Sequence, residues 1–165
     1  MNLSLINYKI FGGNYIIYEQ NWKGKQYNYD GELMFEGEFL NGERNGRGKE
    51  YYGDDILIFE GEYLNGERNG LGKEYDYIEG NWIFEGQFKN GERWKGYLYD
   101  KKGNIIYKLN KENNIVEEYY DNGELLFQGD YLNGLRNGKG KEYDYNGDLL
   151  FEGEYLNGKR NGKGK

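Results

Sequence analysis

The segment Phe59-Glu60-Gly61-Glu62-Tyr63-Leu64-Asn65-Gly66-Glu67-Arg68-Asn69-Gly70 recurs nearly letter for letter along this chain, starting at Phe35, Phe59, Phe84, Phe127 and Phe151. Steps of 24 residues separate Phe35 from Phe59 and Phe127 from Phe151. A period of that size marks a repeat architecture, in which each unit buries its apolar face only by stacking on its neighbours. Such arrays offer surfaces for holding a partner rather than a single pocket for converting a substrate.

The clearest unit is Phe127 to Leu150. Phe127, Gly129 and Tyr131 alternate with Gln128 and Asp130, the period of a half-buried strand. Asn133-Gly134-Leu135-Arg136-Asn137-Gly138 is dense in residues that tolerate positive φ and reads as a long turn. Lys141, Tyr143 and Tyr145 alternate with Glu142 and Asp144 in a second strand, and Asn146-Gly147 reads as a tight hairpin turn. That turn recurs at Asp30-Gly31, Glu79-Gly80, Lys102-Gly103 and Asn122-Gly123. The expected fold is all-β: an elongated, single-layer antiparallel sheet or solenoid of stacked β-hairpin repeats of about 24 residues. Its segments are a capping strand over 1–10 (Leu3, Leu5, Tyr8) and repeats over 11–34, 35–58, 59–83, 84–106, 107–126, 127–150 and 151–165. The repeat at 107–126 is degenerate, with Lys111-Glu112-Asn113-Asn114 as a tight turn in place of the long glycine turn, and the last repeat is truncated.

Three aromatic ladders are expected to form the core. They are Phe11, Phe35, Phe59, Phe84, Tyr107, Phe127, Phe151; Tyr15, Phe39, Tyr63, Phe88, Tyr131, Tyr155; and Tyr27, Tyr51, Tyr75, Tyr99, Tyr119, Tyr143. The apolar fraction is only 36%, too low for a thick two-sided core, so the 18% of aromatic residues must carry the burial. Gly37, Gly61, Gly86, Gly129 and Gly153 stand between rings on one face and leave room for a neighbouring ring to cross the backbone.

The spacing Phe/Tyr-x-Gly-x-Tyr/Phe-x-x-Gly-x-x-x-Gly-x-Gly resembles the MORN repeat. It is met at Phe35-Gly37-Phe39-Gly42-Gly46-Gly48, and equally from Phe59, Phe127 and Phe151. The second-strand tyrosines Tyr143 and Tyr145 fall three and five residues after Gly140, which is similar to the variant MORN repeat of bacterial YwqK-type antitoxin family proteins. The resemblance implies a β array without catalysis of its own. It implies an adaptor or scaffold role, and in some cases phospholipid binding.

Chemistry is narrowly bounded. There is no His or Cys and a single serine, Ser4, so triads and thiol nucleophiles are excluded. The carboxylate pairs Glu36/Glu38, Glu60/Glu62 and Glu152/Glu154 repeat unit by unit and read as a solvated acidic face, not an active site. Asp144, Asn146 and Asp148 suggest a calcium loop, but Gly147 lies inside the trio and not at the sixth position of an EF-hand. No enzyme, metal or cofactor is expected. A net charge of −7 opposes nucleic acid and anionic membrane surfaces. Neither a signal peptide nor an 18-residue apolar span occurs, so the expected location is the cytoplasm.

The candidate partner-binding set is Arg44, Arg68, Arg93, Arg136 and Arg160, each two residues after the first glycine of the long turn, together with Trp94 in the irregular region. Arranged as a rim of guanidinium groups, they suit an acidic partner or lipid headgroups; paired with Glu43, Glu67 or Glu92, they only keep the rim soluble. Another protein is the expected partner, with neutralisation of a cognate toxin as one specific form. The alternative is a peripheral membrane module that binds anionic phospholipid. The chain stops at Lys165, before the Glu-Tyr that continues the second strand in other repeats, so an exposed sheet edge is expected, with either a homodimer through it or a natural protein that continues further. Appending one completed repeat should abolish a dimer measured by sedimentation; an unchanged dimer rules out pairing through that edge.

Overall fold

The computed structural model describes residues 8–11, 14–18, 22–53, 55–162 and 164. The chain divides into two units, Met1–Trp82 with Gln87–Glu92, and Ile83–Gly86 with Arg93–Lys165. In the first unit run β1 (Tyr8–Phe11), β2 (Asn14–Tyr18), β3 (Lys23–Tyr27), β4 (Leu33–Leu40), β5 (Glu43–Tyr52), β6 (Ile56–Leu64) and β7 (Glu67–Tyr75). Each pairs antiparallel with the strand before it. Strand β8 (Trp82–Lys89) is divided between the units. The second unit continues with β9 (Glu92–Tyr99), β10 (Ile105–Asn110), β11 (Ile115–Tyr119), β12 (Leu125–Leu132), β13 (Leu135–Tyr143), β14 (Leu149–Leu156) and β15 (Lys159–Asn161), again paired in chain order. The described residues contain no helix. Each unit is a single antiparallel layer, as the hairpin repeat requires.

The two turns exchange roles relative to the sequence reading. The tight turn is the first Asn-Gly: Leu40 pairs with Glu43 around Asn41 (φ 54°) and Gly42 (φ 91°). Positive φ at both central residues is the type I′ geometry that matches strand twist. The second strand begins at once, and the second Asn-Gly is a bulge inside it. Phe39 faces Arg44 and Gly37 faces Gly48, so the residues between are looped out at Gly46 (φ 95°). The expected tight turn is the longer connection. Tyr143 pairs with Leu149, leaving Asp144–Asp148 as a loop in which the Gly147 amide donates to the Asp144 carbonyl at 3.0 Å. Both motifs advertise positive φ; only the residue across the ladder distinguishes a turn from a bulge.

Strand alternation puts Phe35, Gly37 and Phe39 on one face, with Arg44, Gly48 and Glu50 opposite them on β5. Phe35, Phe59, Phe84 and Phe127 are completely buried there, and Phe39, Tyr63, Phe88 and Tyr155 nearly so. The first two ladders mesh edge to face: Phe35 contacts Phe39 at 5.2 Å and Tyr63 at 5.0 Å between centroids, and Phe59 contacts Phe88 at 4.9 Å. The second unit repeats this with Phe127–Tyr155 at 5.0 Å. The third ladder does not join that core. Tyr51 is half-buried on the opposite face, where its hydroxyl donates to Glu36 at 2.6 Å, and Tyr75 does the same to Glu60.

Two registers depart from expectation. Gln26 stands opposite Phe35 on one side and Ile16 on the other, so buried Ile16, not Phe11, fills the first ladder place. Phe11-Gly12-Gly13 mimics the motif, but the β2–β3 pairing contains no bulge, which shortens the hairpin and moves the register. Residues Leu3 and Leu5 of the expected cap lie outside the described residues; Tyr8 opens β1. In the degenerate repeat the turn over Lys111–Asn114 is four residues long, not tight, with Asn110 facing Ile115 across it. There Leu109 and Val116 take the places of the glycine pair.

That glycine pair is where the core is closed. The Phe59 ring lies across Gly61 and Gly72 of its own repeat, not of a neighbour. A Cβ on Gly61 would stand 2.6 Å from the Gly72 Cα and 2.7 Å from the Phe59 Cζ. Gly66, in contrast, has open space around its missing Cβ and only its φ of 85° to satisfy. Gly61→Ala should therefore cost ~2 kcal/mol or more through overpacking, and Gly66→Ala about 1 kcal/mol through backbone strain. Urea denaturation of the two variants checks the order.

Candidate functional site

The arginine row folds inward over the rings. The guanidinium carbons of Arg44, Arg68, Arg93, Arg136 and Arg160 lie 4.6, 4.3, 5.2, 4.2 and 4.8 Å from the ring centroids of Phe35, Phe59, Phe84, Phe127 and Phe151. The two-residue turn sets this up: it brings Arg44, Arg68 and Arg136 opposite Phe39, Tyr63 and Tyr131 on the aromatic face, and the second Asn-Gly is looped out only after them. The acids that meet these cations come from the second strands. Arg68 donates to Glu50 of the preceding repeat at 2.7 Å and to Glu74 of its own at 3.3 Å, while Arg44 reaches Glu50 at 3.0 Å. In the second unit Glu118 takes two bonds from Arg136, at 2.6 and 2.8 Å, and Glu142 accepts Arg160 at 2.8 Å. The partners of Arg44, Arg68, Arg136 and Arg160 are thus ladder acids, where Glu43 and Glu67 had been expected.

Tyrosine hydroxyls complete the ladder. Tyr63 donates to Glu50 at 3.2 Å, Tyr155 to Glu142 at 2.9 Å, and Tyr131 to Glu118. Burial works against the charge on Glu50, but Arg68 and Arg44 outweigh it and hold the carboxyl below the usual range. The same contest, won by Arg160, Tyr155 and Arg136, lowers Glu142. On the opposite face the hydrogen bond from Tyr51 is the main reason Glu36 also titrates low.

The acidic face is organised, not merely solvated. Glu62 accepts the Leu71 amide at 2.8 Å and Asp130 the Lys139 amide at 2.9 Å, each capping the bulge beside Gly70 or Gly138. Lys141 and Glu152 pair at 3.3 Å across β13 and β14. The calcium-like trio is likewise engaged locally: Asp144 accepts the amides of Asn146 and Asp148, both at 2.9 Å. Among the described residues no group of three or more acidic, histidine or cysteine side chains converges as a metal site. Trp94 sits in the irregular stretch, where its carbonyl accepts the Lys111 amide at 3.0 Å.

The longer loops and the strand ends that lead into them expose what the sequence reading left out. Tyr29 is 81% exposed, Tyr52 61%, Tyr77 55% and Tyr145 52%. Tyr52 meets Tyr77 at a tilt with centroids 5.6 Å apart, and Tyr120 meets Tyr145 edge to face at 5.2 Å, each pair one repeat apart. The signal was present as an aromatic one or two residues from each Asx or glycine turn, but Tyr145 was read as strand and the others were not singled out.

The model of the MORN repeat matches residues 35–55, 59–77, 84–94, 127–149 and 151–165, more than half of the chain. The chain belongs to the MORN repeat family. A search of curated proteins found no match. The stretch from 95 to 126 that the family model passes over contains Leu98 in the ladder-acid place, Leu109 and Val116 in the glycine places, and no arginine. In MORN terms this stretch has lost the glycine pair and the arginine but keeps a ladder acid, Glu118.

Because Glu118 is only 8% exposed, Arg136→Met leaves a buried carboxylate without its cation and should cost about 3 kcal/mol. Arg160→Met, at the open end of the ladder, should cost clearly less. The lowered pKa values of Glu50 and Glu142 set the pH dependence. Their stabilisation is complete above the ordinary value of 4.5 and is lost as pH falls through the lower folded values. Glu50→Gln should flatten that acid limb of the stability curve; an unchanged limb shows that other groups govern it.

Proposed function

We propose that this MORN array is a non-catalytic scaffold that binds another protein in the cytoplasm, with antitoxin-like neutralisation of a basic partner as its specific form. The observation that carries the reading is the contrast between the two kinds of surface in each repeat. The arginines, ladder glutamates and core tyrosines are occupied with one another, while large aromatic side chains stand exposed on the longer loops. Exposed tyrosines are the residues that interfaces enrich, because they bring much contact area at little entropic cost. The net charge of −7 favours a partner with a positive surface. Arg160, with nearly half its side chain exposed, is the ladder arginine best placed to add a contact of its own; Arg44, Arg68 and Arg136 contribute by holding the sheet in shape.

A second reading, binding of anionic phospholipid, draws on a different feature. Leu132, Leu135 and Leu156 are about half exposed at hairpin ends, near Lys159 and Arg160. The two readings separate in one experiment. Immobilised chain should retain a specific protein from source-cell lysate, undiminished by excess phosphatidic-acid vesicles, and should not float with those vesicles. Flotation without protein capture transfers the function to the membrane reading.

A further inference from the structure

We infer that the loop edge of the first unit, built on Tyr29, Tyr52, Tyr77 and Ile78, is the docking surface for an arginine-rich segment of the partner. The inference rests on the protein-binding reading above and adds the surface and the chemistry it recognises. The connections β3–β4, β5–β6 and β7–β8 leave the sheet on one side, and chain-order pairing sets such loops about 10 Å apart. Their apolar contribution is unusually open: Tyr29 is 81%, Ile78 75%, Tyr52 61% and Tyr77 55% exposed. Tyr52, at the end of β5, and Tyr77, in the β7–β8 connection, already touch, with centroids 5.6 Å apart and planes inclined at 59°, so neighbouring repeats present one continuous aromatic surface. Exposed aromatic area of this kind marks a contact site more often than scattered single residues do.

Charge selects the occupant. The described residues of these connections include Asp30, Glu32, Asp55, Asp76 and Glu79, and residues 28–32, 53–55 and 76–81 hold not one Lys or Arg. An anionic lipid headgroup or a nucleic acid backbone is repelled there, whereas a cation gains both from the carboxylates and from the tyrosine faces. A guanidinium suits this pairing better than an ammonium, because it stacks flat on a ring while its edge bonds a carboxylate in two places. The interior of the same unit displays the complete arrangement. Arg68 lies 4.3 Å from the Phe59 centroid and donates to Glu50 through both Nε and Nη2. The loop edge repeats the ring and the carboxylate, and its own loops supply no guanidinium.

The test uses the full chain and a fluorescent peptide of alternating arginine and glycine, followed by anisotropy at physiological salt. Binding to the wild type is expected. The double variant Tyr52→Ser/Tyr77→Ser should bind at least about fivefold more weakly, while Tyr52→Phe/Tyr77→Phe, which keeps the rings, should bind as the wild type does. Asp30→Asn/Asp55→Asn should also weaken binding. Glu152→Gln/Glu154→Gln, which removes as much charge from the second unit, should not. The inference is overturned if the peptide does not bind, if the serine variant binds as well as wild type, or if the second-unit variant loses as much. It is equally overturned if a neutral proline-rich peptide binds as tightly. Lysate capture separates the two levels of the argument. A protein retained equally by wild type and by the serine variant preserves the scaffold reading and removes this surface, whereas a wild type that captures nothing removes the scaffold reading itself.

Discussion

The structure depends on one close approach: a phenylalanine ring packed against two glycines that face each other on adjacent strands. Where Gly61 meets Gly72 the Phe59 ring comes down onto bare backbone, which is why it is completely buried in a sheet only one layer thick. A conventional sheet hides its apolar face under a second layer. Here the second layer is the ring itself, followed by the tyrosine or phenylalanine of the next repeat edge-on, followed by a guanidinium. Tightly packed aromatic pairs of this type add about 0.5–1.5 kcal/mol each beyond the area they bury, and the repetition multiplies a modest term.

The arginine that covers each ring ties the packing to electrostatics. A guanidinium on an aromatic face is partly withdrawn from water and needs an acid, and the acid arrives from the neighbouring hairpin. Glu50 therefore binds Arg44 of its own repeat and Arg68 of the next, so the ion pairs run across repeat boundaries as the rings do. The degenerate repeat tests this logic from the other side. There the arginine and the glycine pair are both gone, and Leu109 with Val116 fills the space by ordinary apolar packing. In that repeat the glycine pair and the arginine are lost together, while a ring, Tyr107, still stands opposite the ladder acid Glu118. The ladder glutamates and the arginines they meet are thus committed to holding the sheet, while Tyr29, Tyr52, Tyr77 and Tyr145 stay exposed beside the longer connections.

Much of this was legible from residues alone, and the failures have particular causes. The period, the strand alternation and the Phe35–Phe39 face follow from spacing, and so does the glycine requirement beneath the rings. The reversal of the two turns followed from treating Asn41-Gly42 and Asn45-Gly46 as one turn. Both pairs tolerate positive φ, so their chemistry is alike and only cross-strand pairing separates them. Reading the arginines as a rim was the direct consequence, since a residue placed in a turn points to solvent and one placed in a bulged strand points to the core. Ile16 was missed because Phe11-Gly12-Gly13 copies the motif where the hairpin lacks its bulge.

The sequence by itself determined the repeat, the hairpin as its unit and the aromatic material of the core. These depend on local spacing, which one strand's alternation and a neighbour's copy of it already contain. Which face each tyrosine ladder joins, which acid each arginine meets and which tyrosines stay in water were decided only by the tertiary structure. Those are properties of register: one looped-out Asn-Gly shifts the pairing of everything after it, and no single strand records what lies across from it.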